Sequence, residues 1–267
     1  MNNDDFKICV LSSGSGGNCT YIETPKHKII QDAGLSGIRI ERMMKSIGKD
    51  LKDVDSMFVT HEHTDHAKGV GILARKYGMN VYANEPTWNA MNSKIGKIPV
   101  EQKYIFDPNK TESFDDLDVE SFAVSHDAAQ AQFYNYHHNG KSFVIVTDTG
   151  TISDNVAGII RDADGYLFEC NYDTDMLMNG DYSYYTKLRI QSDTGHLSNV
   201  EGTEVLMDVM GPKTKHIFLA HRSHHNNTKE LQRLTVASMM KNNGLGVGKS
   251  FQLHGTDVEK PSVLYTL

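Results

Sequence analysis

Four potential metal ligands, His61, His63, Asp65 and His66, fall within the run Thr60-His61-Glu62-His63-Thr64-Asp65-His66. Imidazole and carboxylate together suit Zn, Mn, Fe or Ni, and the run offers no thiolate for a structural cysteine-type site. A solvated polar loop can carry two histidines by chance. Four ligands at the mouth of a buried strand are better explained as a metal site. The run follows the apolar segment Met57-Phe58-Val59 and precedes the helical spacing of Val70, Ile72, Leu73, Ala74 and Tyr77. The histidines are therefore expected in a short turn between strand and helix, where side chains converge on one small volume.

The pattern His-x-His-x-Asp-His resembles the signature of the metallo-β-lactamase superfamily of hydrolases. That resemblance implies three further ligands downstream, a histidine, an aspartate and a histidine, each at a strand end. His126 follows Val119 to Ser125, whose alternation reads as a half-buried strand. Asp148 follows Ser142 to Thr147, a continuous apolar run typical of a strand covered on both faces. His221 follows the short buried run His216 to Ala220. A lone histidine after a strand is more often an ordinary loop residue. Here the order of the three carries the weight, since strand ends fix backbone positions as coordination demands.

The remaining chain reads as alternating strands and helices without a linker or repeat. Strands are expected at Lys7 to Leu11, Cys19 to Glu23, Lys28 to Ala33, Tyr166 to Cys170 and Ser250 to His254. Helices are expected at Ser36 to Ile47, Ala67 to Tyr77, from Glu85-Pro86 onward, and at Ser153 to Ile160. Three more fill Tyr184 to Gln191, Asn199 to Val209 and Asn227 to Lys241. In the first helix Ile38, Ile40, Met43, Met44 and Ile47 are expected to share the apolar side. The loop Ser12-Ser-Gly-Ser-Gly-Gly-Asn18 reads either as a flexible connection or as backbone approaching the metal site or a phosphate. Pattern alone supports α/β with buried strands. The resemblance implies more: a four-layer αββα sandwich of two mixed β-sheets flanked by helices, as a single domain over residues 1–267.

Composition narrows the setting. A chain of 267 residues can bury a large core, and no apolar stretch approaches the roughly 18 residues that span a bilayer. The polar, acidic start Met1-Asn-Asn-Asp-Asp-Phe-Lys7 does not read as a signal peptide. Three scattered cysteines, Cys9, Cys19 and Cys170, make no disulfide framework, and a reduced, cytoplasmic setting is expected. The formal charge of −7, with mild basic clusters only at Lys45/Lys49/Lys52 and Lys213/Lys215, argues against non-specific coating of DNA. It does not exclude a phosphodiester substrate, because divalent cations invert the charge of a site.

By similarity to binuclear superfamily members, two divalent ions are implied, Zn or Mn, with Fe or Ni as further options. His61, His63 and His126 would hold the first, Asp65, His66 and His221 the second, and Asp148 would bridge them. In the phosphodiesterase branch a Glu–His pair sits beside the metals, and Glu169 and His196 match it by order and local motif. A carboxylate behind an imidazole fixes its tautomer and suits it to general acid work. The competing view makes His196 a helix cap and Glu169 the partner of a surface lysine. Catalytic roles are thus expected for Asp65, Glu169 and His196.

Six segments together resemble the YycJ/WalJ family: Ser12 to Cys19, Thr60 to His66, Thr147 to Gly150, Glu169 to Asp173, Gly195 to Asn199, and Leu219 to Ser223 with Asn226-Asn227. They cover nearly the whole chain. The resemblance implies a metal-dependent 5′→3′ exonuclease on double-stranded DNA that uses a water activated between two metals, with no membrane partner. Arg222-Ser-His224-His225 departs from it in being more basic and richer in histidine. A tRNA-processing endonuclease would carry a long Gly- and Pro-rich arm, which is missing. RNA nucleases with a large domain inserted between Asp148 and His221 are disfavoured by the short separation. A lactonase or thioester hydrolase would share the metal cluster but needs no Glu169–His196 pair.

Overall fold

The computed structural model describes residues 5–267. The start of the N-terminal stretch that does not read as a signal peptide, residues 1–4, lies outside the described residues. Two mixed β-sheets flanked by helices carry the fold. The chain forms two compact units: Met1–Ala123 with Ala128–Gly140 and Thr256–Leu267, and Val124–Asp127 with Lys141–Gly255.

In the first unit the strands are β1 (Lys7–Ser12), β2 (Cys19–Glu23), β3 (Lys28–Gln31), β4 (Ser56–Phe58), β5 (Asn80–Ala83), β6 (Lys103–Ile105), β7 (Thr111–Phe114), β8 (Leu117–Ala123), β9 (Gln132–His138) and β14 (Tyr265–Thr266). One sheet runs in the order β14-β1-β2-β3-β4-β5-β6. It is antiparallel as far as β3 and parallel from β3 to β6. β7, β8 and β9 form an antiparallel meander. The helices are α1 (Gly37–Ser46), α2 (Thr64–Ala67), α3 (Val70–Tyr77) and α4 (Glu85–Ile95).

These helices differ from expectation at two points. In α1, Ile40, Met43 and Met44 are buried but Ile38 is exposed. Residues two apart on a helix point about 200° away from each other, so Ile38 and Ile40 cannot share a face. The single helix expected over Ala67 to Tyr77 is broken into α2 and α3 at Lys68-Gly69, where Gly69 N–H donates to Ala33 O at 2.6 Å. Asp65 and His66 therefore sit on a helical turn rather than in the preceding loop. α4 begins as its proline predicts, with Asn84 Oδ1 accepting from Thr87 N at 2.9 Å.

β9, Gln132-Phe-Tyr-Asn-Tyr-His-His138, was not anticipated from the sequence. Its polar residues hide the alternation, yet nearly all of it is buried. Its two tyrosine hydroxyls are satisfied by hydrogen bonds: Tyr134 Oη donates to Val59 O at 2.9 Å and Tyr136 Oη to Gln31 Oε1 at 3.0 Å.

In the second unit four parallel strands, β10 (Lys141–Val146), β11 (Gly165–Glu169), β12 (His216–Ala220) and β13 (Gln252–Gly255), pair in that order. Their near-continuous apolar runs are what buried parallel strands require. The helices are α5 (Asp154–Ile160), α6 (Thr174–Asn179), α7 (Tyr184–Ile190), α8 (Asn199–Val209) and α9 (Lys229–Asn242). α8 starts on a capping box, with Ser198 and Glu201 each satisfying the other's backbone N–H. Among the described residues no helix is long and apolar enough to cross a membrane. β8 and β10 stop earlier than the sequence suggested, so His126 and Asp148 lie in the turns beyond their strands. His221 follows β12 directly.

Candidate metal centre

The first unit gathers His61, His63, Asp65 and His66. The ring of His61 lies 4.6 Å from that of His63 and 4.2 Å from that of His66, centre to centre. The turn after β4 supplies the first two, and α2 the others. His66 is fully buried, and Nδ1 donates to Asp32 Oδ2 at 2.9 Å, which leaves Nε2 as the ring's lone-pair atom. Asp32 also accepts from Thr60 N–H at 2.9 Å, and the Thr60 hydroxyl lies 3.0 Å from His61 Nδ1. Asp65 is partly exposed, with Oδ2 3.6 Å from His66 Nε2.

The Ser12–Asn18 loop approaches this motif. Asn18 N–H donates to Asp65 O at 2.8 Å, and Asn18 Nδ2 is 3.0 Å from His66 Nε2. The packing is close enough to demand glycine at position 34, where a Cβ would lie 1.7 Å from Asp65 O. Of the two readings of the loop, the geometry favours approach over a free connection, since the loop touches Asp65 and His66.

The second unit gathers His126, Asp148, Glu169, His196 and His221. The last four offer ligand atoms within 4.8 Å of one another. Asp148 Oδ1 lies 3.3 Å from His221 Nε2, 3.8 Å from His196 Nδ1 and 3.9 Å from His126 Nε2. Asp148 and His221 both take left-handed backbone, at φ 49° and 48°. Such conformations cost energy in residues with side chains and persist where the surroundings over-determine them, often at functional sites.

Glu169 ends β11 fully buried, and its four contacts explain how a carboxylate survives there. Oε1 accepts from His196 Nδ1 at 2.9 Å and His221 Nδ1 at 3.0 Å. Oε2 accepts from the backbone N–H groups of Thr149 at 3.1 Å and Leu197 at 3.2 Å. Burial pushes its pKa up, but the two imidazoles outweigh that and hold it down at about 2. Burial works against charge on His196 as well, yet Glu169 and Asp148 keep it above the usual imidazole value. For His126 burial wins, and its pKa is lowered. The view of His196 as a mere helix cap is not what the chain adopts: Ser198 caps α8.

The donor set fits divalent cations. It is imidazole and carboxylate throughout, and all three cysteines are buried free thiols, Cys9 with its pKa pushed up to about 11 by burial. Two of the histidines, His66 and His221, donate their far nitrogen to a buried carboxylate, the arrangement that orients metal-bound imidazole. Sequence reasoning missed Asp32 and Asn171. Asn171 Nδ2 donates to His221 O at 2.7 Å and so supports its left-handed turn. Asp32 had a visible cue, an acid just past a buried strand. Asn171 had none.

The Metallo-beta-lactamase superfamily model matches residues 13–221. The chain is 48% identical over 266 residues to "Exodeoxyribonuclease WalJ" of Streptococcus pneumoniae serotype 2, covering 99% of both chains. It is 47% identical over 253 residues to "Exodeoxyribonuclease YycJ" of Bacillus anthracis, covering 95% of this chain and 96% of that one. Among solved structures, the metallo-beta-lactamase fold protein YhfI from Bacillus subtilis superposes with a TM-score of 0.72 at 14% identity, over 97% of this chain and 99% of that one, and so shares the fold. A buried carboxylate–histidine site on this fold, with relatives this similar over their full length, places the chain in the metallo-beta-lactamase superfamily, among the WalJ/YycJ proteins.

Proposed function

We propose that this chain is a metal-dependent phosphodiesterase, a 5′→3′ exonuclease on double-stranded DNA, with residues 1–267 acting as one catalytic domain. The names of the relatives supply DNA as the substrate class. Two divalent ions are assigned by motif order, Zn or Mn in the first instance: His61, His63 and His126 to one, Asp65, His66 and His221 to the other, with Asp148 shared. When bound, such a pair neutralises charge on the attacked phosphate and lowers the pKa of water from 15.7 towards roughly 7.

The chain's own groups do the rest. Glu169 accepts a hydrogen bond from His196 Nδ1–H and so fixes the tautomer and orientation of that ring. Held at Nδ1 by that carboxylate, His196 is placed to give a proton to the oxygen that leaves phosphorus. As the water oxygen, having released a proton to solvent, bonds to phosphorus, the old P–O bond breaks and the leaving oxygen takes the proton from His196. The observation that carries this reading is the 2.9 Å contact between a fully buried Glu169 and a histidine that the ligand set does not need. A lactonase or thioester hydrolase has no use for it.

The test is direct. Protein with Mn²⁺ is incubated with end-labelled duplex DNA, duplex RNA and a chromogenic thioester. Nucleotides released stepwise from the 5′ end of DNA are expected. Turnover of the thioester alone would defeat the nuclease reading, and preference for RNA would move the substrate to that class.

A further inference from the structure

Arg222 follows His221 directly. Its Nε is buried without a hydrogen-bond partner, and among the described residues the guanidinium makes neither an ion pair nor a hydrogen bond. A half-buried cation with no counter-charge is costly, and an anion is its natural complement. Beyond it, His224 and His225 are exposed, and the His225 ring lies 5.8 Å from that of Tyr182.

Tyr182 belongs to the α6–α7 hairpin, which a small core of Tyr172, Leu177 and Ile190 roots to the unit. Away from that root the hairpin turns large apolar groups to solvent: Tyr184 is 69% exposed, Tyr185 80% and Leu188 48%. Leu188 is four residues from Tyr184 and three from Tyr185, so the three share one helix face. The other end of α7 is locked to the candidate acid. His196 N–H donates to Ile190 O at 2.9 Å, and a Cβ on Gly195 would come within 2.2 Å of the same oxygen. Tyr185 stands five residues before Ile190, about 7.5 Å along the axis at roughly 1.5 Å per residue. That length matches about two base steps of roughly 3.4 Å.

We propose that Arg222 and the Tyr184–Tyr185 face grip the nucleotides flanking the scissile phosphate, Arg222 on a neighbouring phosphate and the tyrosines by stacking on bases at the strand end. The inference deepens the nuclease reading and rests on it. An unpaired cation leaves one ligand residue, and an uncovered aromatic face leaves the loop of the candidate acid. The Tyr182–His225 contact joins the two. Phosphate and base are the chemistry that satisfies both at once.

The test is fluorescence anisotropy, with Mn²⁺ present, of a labelled DNA duplex with a short single-stranded 5′ end whose terminal linkages are phosphorothioate to block cleavage, alongside degradation assays on the unmodified duplex. Arg222→Gln and the double variant Tyr184→Ala/Tyr185→Ala should each bind about 10-fold more weakly, with unchanged melting temperatures. Arg222→Gln should also reduce the slope of log affinity against log salt by about one, which the tyrosine variant should not do. Arg222→Lys should restore most of that slope. If the wild type binds and degrades DNA while the variants bind within twofold of it, this inference falls and the nuclease reading stands. If the wild type neither binds nor degrades nucleic acid, the nuclease reading falls first and takes this inference with it. A wild-type dimer that the tyrosine variant abolishes would assign the face to a second copy of the chain and overturn the proposal.

Discussion

Glu169 Oε1 lies 3.0 Å from Nδ1 of His221, and the same oxygen accepts from His196 at 2.9 Å. One buried carboxylate therefore orients both a proposed metal ligand and the proposed acid. The two roles separate by mutation. His196→Ala should lose about 10²–10⁴ in rate while keeping its metal, because it acts in the transition state only. Glu169→Gln should lose rate and weaken metal affinity about 10–100-fold. Metal titration with a chromophoric chelator reads the difference. Equal metal loss in the two variants would put His196 among the ligands.

Phe58 anchors the first unit's core. Its ring stacks on Tyr82 at 4.8 Å and meets Tyr134 edge-on at 5.5 Å, with Phe106 and Phe114 at 6.0 and 5.8 Å. Phe58→Ala should cost about 3–5 kcal/mol, since packed aromatics leave a cavity that cannot collapse. In a chain of this size that lowers the melting temperature by on the order of 10 °C. Phe58→Leu should cost about 1 kcal/mol. Equal melting temperatures for the two would mean that the cluster repacks freely.

A pH response is also written into the second unit, at the opposite end of β12 from His221. His216 Nδ1 and His254 Nε2 are 3.0 Å apart, so one must donate and the other accept. Burial first, then the charges of His216 and Arg233, lowers the pKa of His254 to about 4. Unfolded, it titrates near 6.5. Between these values the unfolded chain binds more protons, so this contribution is whole above pH 6.5 and lost as pH falls towards 4. Both rings are partly exposed, which limits the effect. His254→Phe keeps the stacking on Phe218, whose ring is 4.6 Å away, and should flatten the decline of melting temperature from pH 7 to pH 4.5. An unchanged slope would assign the acid sensitivity to other groups.

What the sequence disclosed follows from where each constraint acts. The dense run at His61 to His66 and the strands before Asp148 and His221 were legible, because ligand spacing and apolar runs are local. The partners of those ligands were not. Asp32 meets His66 across 34 positions, and Asn171 meets His221 across 50, so only the folded sheets bring them together. β9 was hidden because its Asn135 and His138 look solvent-facing yet are buried. The break at Lys68-Gly69 was hidden for a related reason: the hydrogen bond to Ala33 that interrupts the helix is tertiary.

Asp148 offers the sharpest test of the shared-ligand assignment. Its left-handed backbone, φ 49°, is one that asparagine adopts readily, so Asp148→Asn should fold with a melting temperature near that of the wild type. The variant removes a charge and little volume. If Asp148 serves both ions, isothermal titration should show both binding steps weakened at least 10-fold and nuclease activity lost. Asp65→Ala and His63→Ala should also abolish turnover, but each should weaken chiefly one step, because each is assigned to a single ion. A normal first step in Asp148→Asn, with only the second impaired, would confine Asp148 to one ion and leave the other to its histidines.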